Sequence, residues 1–395
     1  MKIIGAEIFP LCIPFVSSFQ HAEGVRAHSD SIVVKLYGAD GSTGYGEGIA
    51  RPYVTGETVA GCLQHMQRVL WPAVRDSDFP ELVVFDDPLL SLAPIETVLP
   101  DPHDDRIIAW HGARAAFETA LIDMLLRRQN LALSEVLRPR RPVVIYSAVI
   151  GLGSIEQSCR IAERYRQHGL TDYKCKIDRE DIGPRLQRIR RVIGRKASLR
   201  LDANCAFEAD SAAAALAGLD RFNITCIEQP TPRIDERSLA DLQRSMVIPL
   251  MADESLVTIA DGHHLIAAGA CRWFNLRVAK CGGVINVLRI ARLAAPAGIR
   301  LQIGCQVGET AVLSAMGRHL AAHLGQVEFV EGSYGSLLLA QDIAEPEVCF
   351  GTGGRAPLIR GHGIGVQVND ALLRKYATRV VSLGVPDASV GRGAA

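Results

Sequence analysis

From residue 143 onward the chain keeps one beat: a short apolar run, an amphipathic stretch, then another run. The runs fall at 143–150, 173–177, 198–204, 224–229, 248–254, 273–280, 299–304 and 327–332. Their length and their content of β-branched and apolar residues predict eight strands. The stretches between them, such as 155–169 and 284–298, carry apolar residues at helical spacing, and Gly298 stands where a helix would end. Strands that alternate with helices make parallel βαβ units. Eight in a row predict an α/β fold of the (β/α)8 TIM-barrel type over 140–367. A doubly wound open sheet is the competing arrangement, and no nucleotide-binding fingerprint supports it.

The ionisable residues follow the same beat. Lys176, Asp202, Glu228, Asp253 and Lys280 close five consecutive apolar runs, at steps of 26, 26, 25 and 27 residues. Strand C-termini of a barrel converge on one mouth, where the chemistry of such folds resides. Lys174 and Lys176 lie two apart on one strand and so face the same side. Two lysines aimed into an apolar barrel would be costly alone, and three carboxylates across the mouth offset them. One such residue reads most simply as a structural ion pair. Five on consecutive strands read as a site.

Three carboxylates on adjacent strands form a hard oxygen set. That suits Mg²⁺, with Mn²⁺ as a substitute, and leaves positions open for substrate. Zinc is disfavoured because no His closes a strand. Lys176 and Lys280 would flank the carboxylates. Burial, a divalent cation and the Lys174 ammonium each favour a neutral lysine base, while the carboxylates oppose it. The set fits removal of a proton next to a carboxylate, with the cation holding the enediolate.

Composition narrows the class. In 395 residues, 43 Lys and Arg balance 43 Asp and Glu, which argues against general binding to nucleic acid or a membrane surface. No apolar run approaches the ~18 residues of a membrane span. The N-terminus lacks the pattern of a signal peptide. A cytoplasmic protein is expected. The ten cysteines form no C-x-x-C pair and read as small buried hydrophobes rather than thiolate ligands.

The motifs K-C-K (174–176), L-D-A-N (201–204), I-E-Q-P (227–230), A-D-E-S (252–255) and K-C-G-G (280–283) together resemble the enolase superfamily. Within it they are similar to the muconate-lactonizing-enzyme subgroup of the mandelate racemase/muconate lactonizing enzyme family. The resemblance covers most of the chain. It implies Asp202, Glu228 and Asp253 as Mg²⁺ ligands, Lys176 and Lys280 as the acid/base pair, and Lys174 as their electrostatic neighbour. The handling of a carboxylate α-proton by a Lys or His base with Mg²⁺ is general to this superfamily. The mandelate-racemase arrangement needs a His partnered by an Asp across the barrel. His263 and His264 instead fall in a predicted helix. Dipeptide epimerases usually carry Asp-x-Asp at the eighth strand, and that motif is missing. Glu331 stands near, but one residue upstream of, the Glu of muconate-lactonizing enzymes.

Residues 1–135 do not keep the beat. Two strand-like runs flank Gly38-Ala39-Asp40-Gly41, and Ala113 to Leu125 has helical spacing. This predicts an α+β capping domain over 1–135, joined by 368–395, with a frayed end after about residue 383. The cap segments 16–28 and 51–58 would close over a substrate. They supply His21, Arg26, Arg51 and Tyr53 as candidate contacts, beside Asn204, Gln306 and Glu331 from the barrel. Glu309 is a further candidate.

The reaction stays open at this level. Two opposed lysines suit racemisation or epimerisation of an N-substituted amino acid or related carboxylate. A lyase of the dehydratase or o-succinylbenzoate-synthase kind, or a muconate-type cycloisomerase, would use the same residues. A barrel that only binds a small carboxylate is the non-enzymatic alternative. Homo-oligomers are common in the family, so a homo-oligomer is expected.

Overall fold

The structure, a computed structural model, describes residues 1–21, 24–75, 77–100, 110–233 and 236–384; the side chains of 17–25 lie outside the description. The expected fraying after residue 383 and the candidate His21 side chain fall outside it.

Eight parallel strands stand side by side in chain order: Ala148–Ile150, Asp172–Lys176, Ser198–Asp202, Ile227–Glu228, Leu250–Ala252, Trp273–Leu276, Arg300–Ile303 and Val327–Val330. They are called the first to eighth barrel strands. A backbone hydrogen bond from Ser147 N–H to the Val330 carbonyl (2.8 Å) joins the edges. Helices follow the first seven strands, among them Ile155–Gln167, Ile259–Ala268, Val284–Ala294 and Ala311–His323. The fold class expected from the beat is therefore present.

Three details differ from the expectation. The first run splits. Val143–Ile145 pairs antiparallel with Arg355–Pro357, and only Ala148–Ile150 joins the barrel. The sixth strand ends at Leu276, not at Lys280. Hydrogen bonds from Cys281 N–H to the Arg277 carbonyl and from Gly283 N–H to the Val278 carbonyl curl residues 277–283 into a turn. The helix after it ends at Ala294, and Gly298 (φ 68°) serves the turn beyond.

The N-terminal residues form a second layer. Strands Ile3–Pro10, Ser31–Gly38 and Thr43–Ile49 make an antiparallel sheet, and Val381–Leu383 returns to pair with the first of them. The helix His111–Arg128 is apolar at helical spacing, yet it is buried on all sides through Leu126. One face lies on the sheet at the closest possible range. A Cβ on Gly46 would stand 2.1 Å from the Ala116 carbonyl oxygen, so only glycine fits there. The other face meets the barrel, where Glu118 accepts from Ile285 N–H (3.1 Å) and Arg114 donates to the Gly282 carbonyl (2.6 Å). Among the described residues no helix is long and apolar enough to cross a membrane.

Candidate active site

The second to fourth strands end on Lys176, Asp202 and Glu228, and their register places these ends level, with Lys176 opposite Asp202 and Asp202 opposite Glu228. Asp253 follows the fifth strand by one residue. Alternation along the second strand turns Lys174 and Lys176 to one side. Both reach Asp202 Oδ2, Lys176 at 3.0 Å and Lys174 at 3.4 Å. Lys174 sits deeper, 2.5 Å from Glu331 and 3.3 Å from Glu228. Lys176 stands nearer the opening, where it also donates to Asn204 Oδ1.

The carboxylates are fully buried, and their protonation reflects that. Burial raises the pKa of Asp202, but Lys176 and Lys174 outweigh it and hold the group well below the usual carboxylate range. Burial pushes Glu228 up to about 8, against the pull of Lys174. Burial works against the Lys174 ammonium, yet Glu228, Glu331 and Asp202 more than restore it and keep it charged.

The geometry is also held by residues beyond the predicted site residues. Gln229 (φ 36°) accepts from the N–H groups of Asp253 and Ser255, both at 3.0 Å, and donates to Ser255 Oγ (2.7 Å). It thereby ties the fourth strand end to the fifth. Asn275 donates to Glu228 Oε1 (2.7 Å) and Gln302 to Glu228 Oε2 (3.3 Å). Arg277 also belongs to this set. Its guanidinium bonds Asp253 Oδ2 and lies 3.7 Å from Glu228 Oε1. The available signal was the spacing Asn275-x-Arg277, the same two-residue step as Lys174-x-Lys176.

Lys280, expected opposite Lys176, is enclosed. It lies in the turn after the sixth strand, and its ammonium donates to the Asp253 carbonyl (2.7 Å), Asp253 Oδ1 (2.8 Å) and the Asn275 carbonyl (2.7 Å). Glu331 faces the barrel interior, with Oε2 on Lys174 and Oε1 on Arg200 (3.0 Å). Gln306 is buried with neither amide atom partnered. Glu309 accepts from Gln306 N–H (2.7 Å), and burial pushes its carboxyl up to about 8. From the cap, Arg26 pairs with Asp30 (2.9 Å) and lies over the Tyr53 ring. Arg51 pairs with the same Asp30 (2.7 Å) and donates to the Val307 carbonyl (2.6 Å), one residue from Gln306. Arg51 is thus buried in the cap–barrel joint rather than open to a substrate.

Among the described residues no three His, Cys, Asp or Glu side chains form a ready-made metal cage. The carboxylates of Asp202, Glu228 and Asp253 are instead turned to ammonium, guanidinium and amide groups. The donor chemistry still fits a hard divalent cation: three buried carboxylates on consecutive strand ends, beside Glu254, whose Oε2 has no hydrogen-bond partner.

Comparison with known proteins agrees with this architecture. Residues 158–372 match the family model described as "Enolase C-terminal domain-like". The chain is 27% identical to an N-succinyl-L-Arg/Lys racemase of Bacillus cereus, over 95% of this chain and 98% of that one. It is 31% identical to an L-Lys-D/L-Arg epimerase of Methylococcus capsulatus, over 87% and 91%. A dipeptide epimerase from Cytophaga hutchinsonii, solved with Mg and the dipeptide D-Ala-L-Val, superposes with a TM-score of 0.84 at 22% identity, over 97% and 100%. The chain is an enzyme of the enolase superfamily and belongs to its mandelate racemase/muconate lactonizing enzyme family.

Proposed function

We propose that this enzyme removes the proton α to the carboxylate of a small substrate, with Lys176 as the group that takes it. Asp202, Glu228 and Asp253 would hold a divalent cation, Mg²⁺ with Mn²⁺ as a substitute. When bound, that cation draws electron density from the substrate carboxylate and acidifies the α-carbon. The observation that carries the reading is the place of Lys176. It lies on the strand end next to Asp202 at 3.0 Å, with its side chain 7% exposed at the mouth. The Cα–H bonding pair passes into the enediolate as Lys176 accepts the proton. Lys174, held charged below it, supplies a fixed positive field toward the developing anion. Asn204 and the unpartnered amide of Gln306 supply polar contacts at the opening.

The relatives' names support racemisation or epimerisation of an N-substituted amino acid or a dipeptide-like carboxylate as the outcome. A second outcome, a lyase or cycloisomerase reaction, is favoured by one observation: the ammonium of Lys280 is enclosed. The proposal is tested by incubating the protein with Mg²⁺ in D₂O against N-succinylamino acids, dipeptides and dicarboxylates. Mass spectrometry is expected to show one deuterium at the α-carbon, or product derived from it. Exchange that persists unchanged in Lys176→Ala would sink the assignment.

A further inference from the structure

We propose that Arg277, not Lys280, is the group facing Lys176 across the site, so that protons move on the Lys176 face alone. The inference rests on the proposed proton abstraction and specifies its outcome.

Lys280 has nothing left to offer a substrate. An ammonium has three donors, and three acceptors within 2.8 Å take them. Its side chain is 0% exposed. Its own carbonyl lies 2.6 Å from His111 Nδ1, and the turn beyond is clamped by Arg114 and Glu118 of the cap helix. It is a bracket that holds Asp253 and the sixth strand end, wedged between barrel wall and cap.

Arg277 has the opposite character. It follows the sixth strand directly and shares a face with Asn275, which points at Glu228. Its side chain is 12% exposed, and its Nε is buried without a partner. Across the mouth the order is Lys176, Asp202, Glu228, Asp253, Arg277, from the second strand to the sixth. A guanidinium is a permanent cation with a planar fork of donors. It can hold an anionic substrate group, and it cannot take or return a proton.

The chemistry follows. Lys176 takes the α-proton, and the C–H pair becomes part of the enediolate. From there the same proton can return to the same face. Alternatively the pair forms a Cα–Cβ double bond while the β-substituent leaves with its own bonding pair and collects the proton from Lys176. The site therefore suits elimination of a β-substituent from a carboxylate, or the reverse addition, rather than inversion at the α-carbon.

Two arms test this on the full chain. In the first, Mn²⁺ binding is titrated by electron paramagnetic resonance in wild type, Arg277→Met and, should that variant misfold, Arg277→Gln. Removing a guanidinium that competes for Asp253 and Glu228 should tighten Mn²⁺ binding at least tenfold; an unchanged affinity overturns the placement of Arg277. In the second, N-succinyl-L-lysine, N-succinyl-L-arginine and L-lysyl-L-arginine are incubated with Mg²⁺ in D₂O. Wild type should incorporate α-deuterium at least 100-fold faster than it forms the opposite configuration, and Arg277→Lys should raise that inversion at least tenfold. Inversion by wild type as fast as exchange overturns the inference. If wild type with bound Mn²⁺ exchanges none of these probes, the proposed function is what fails, and the Mn²⁺ arm still judges Arg277.

Discussion

At the scale of single residues, the site is a set of charges that are stable only together. Lys174, Asp202, Glu228, Glu331 and Arg200 are each buried and each paired. Removing one member strands another, which is why identical-looking lysines should fail in different ways. Lys176→Ala should lower α-proton exchange by about 10²–10⁴-fold, the usual range for loss of an acid/base group, with a smaller loss of stability because Lys174 still pairs with Asp202. Lys280→Met should instead lower stability by about 3–5 kcal/mol, because it removes one of the two cations on the buried Asp253 and leaves the Asp253 and Asn275 carbonyls without their donor. Urea unfolding separates the two: equal stability of the two variants would contradict this division of labour between the lysines. Glu331, a candidate substrate contact from the sequence, has both oxygens engaged within the barrel. The side-chain amide of Gln306, another candidate contact, has no hydrogen-bond partner.

At the scale of elements, two helices connect the site to the rest of the chain. The cap helix His111–Arg128 carries the buried pair Arg114–Glu118 (2.5 Å), and that pair grips the turn holding Lys280. Arg114→Met should therefore destabilise by about 3–5 kcal/mol, read by denaturant unfolding; a loss below about 1 kcal/mol would show that the helix does not depend on the pair. The barrel helix Ala311–His323 carries His319, which is buried beside the Ile364 carbonyl. Burial pushes its imidazole down to about 4. The unfolded chain, with an ordinary imidazole near ~6.5, then binds the proton first. The contribution is complete above about pH 6.5 and is lost as pH falls toward 4, roughly 3 kcal/mol in all. His319→Gln should flatten that part of the stability–pH curve. An identical slope in the variant would assign the acid sensitivity to other groups.

At the scale of the whole molecule, cap and barrel act as one device. Glu47 of the cap sheet accepts from Thr310 N–H (2.9 Å) and Leu313 N–H (3.0 Å), capping the helix that follows the seventh strand. Ser29 donates to the Gly308 carbonyl (2.6 Å) and Arg51 to the Val307 carbonyl. The loop bearing Gln306 is thus fixed by the cap, which supports a closed, water-poor site. Binding of a divalent cation should stabilise this assembly by about 2.7 kcal/mol at 100 times its dissociation constant. Thermal melts in Mg²⁺ against chelator should show that gain, and Asp202→Asn or Glu228→Gln should abolish it. An equal shift in those variants would place the cation elsewhere.

The sequence alone determined the barrel and the carboxylate row, because both rest on local periodicity: strand spacing sets the fold, and a charge that closes a strand lies at its C-terminal end. It determined the pairing of Lys174 with Lys176 for the same reason, since alternation along one strand is a local property. The tertiary structure decided what lies across from Lys176. Arg277 and Lys280 are three residues apart, and which faces the site depends on where the sixth strand stops. That point is set by the turn hydrogen bonds at 277–283 and by the grip of the cap helix. Those partners come from a distant segment of the chain, 169 residues away for Lys280 and His111, and no local pattern records them.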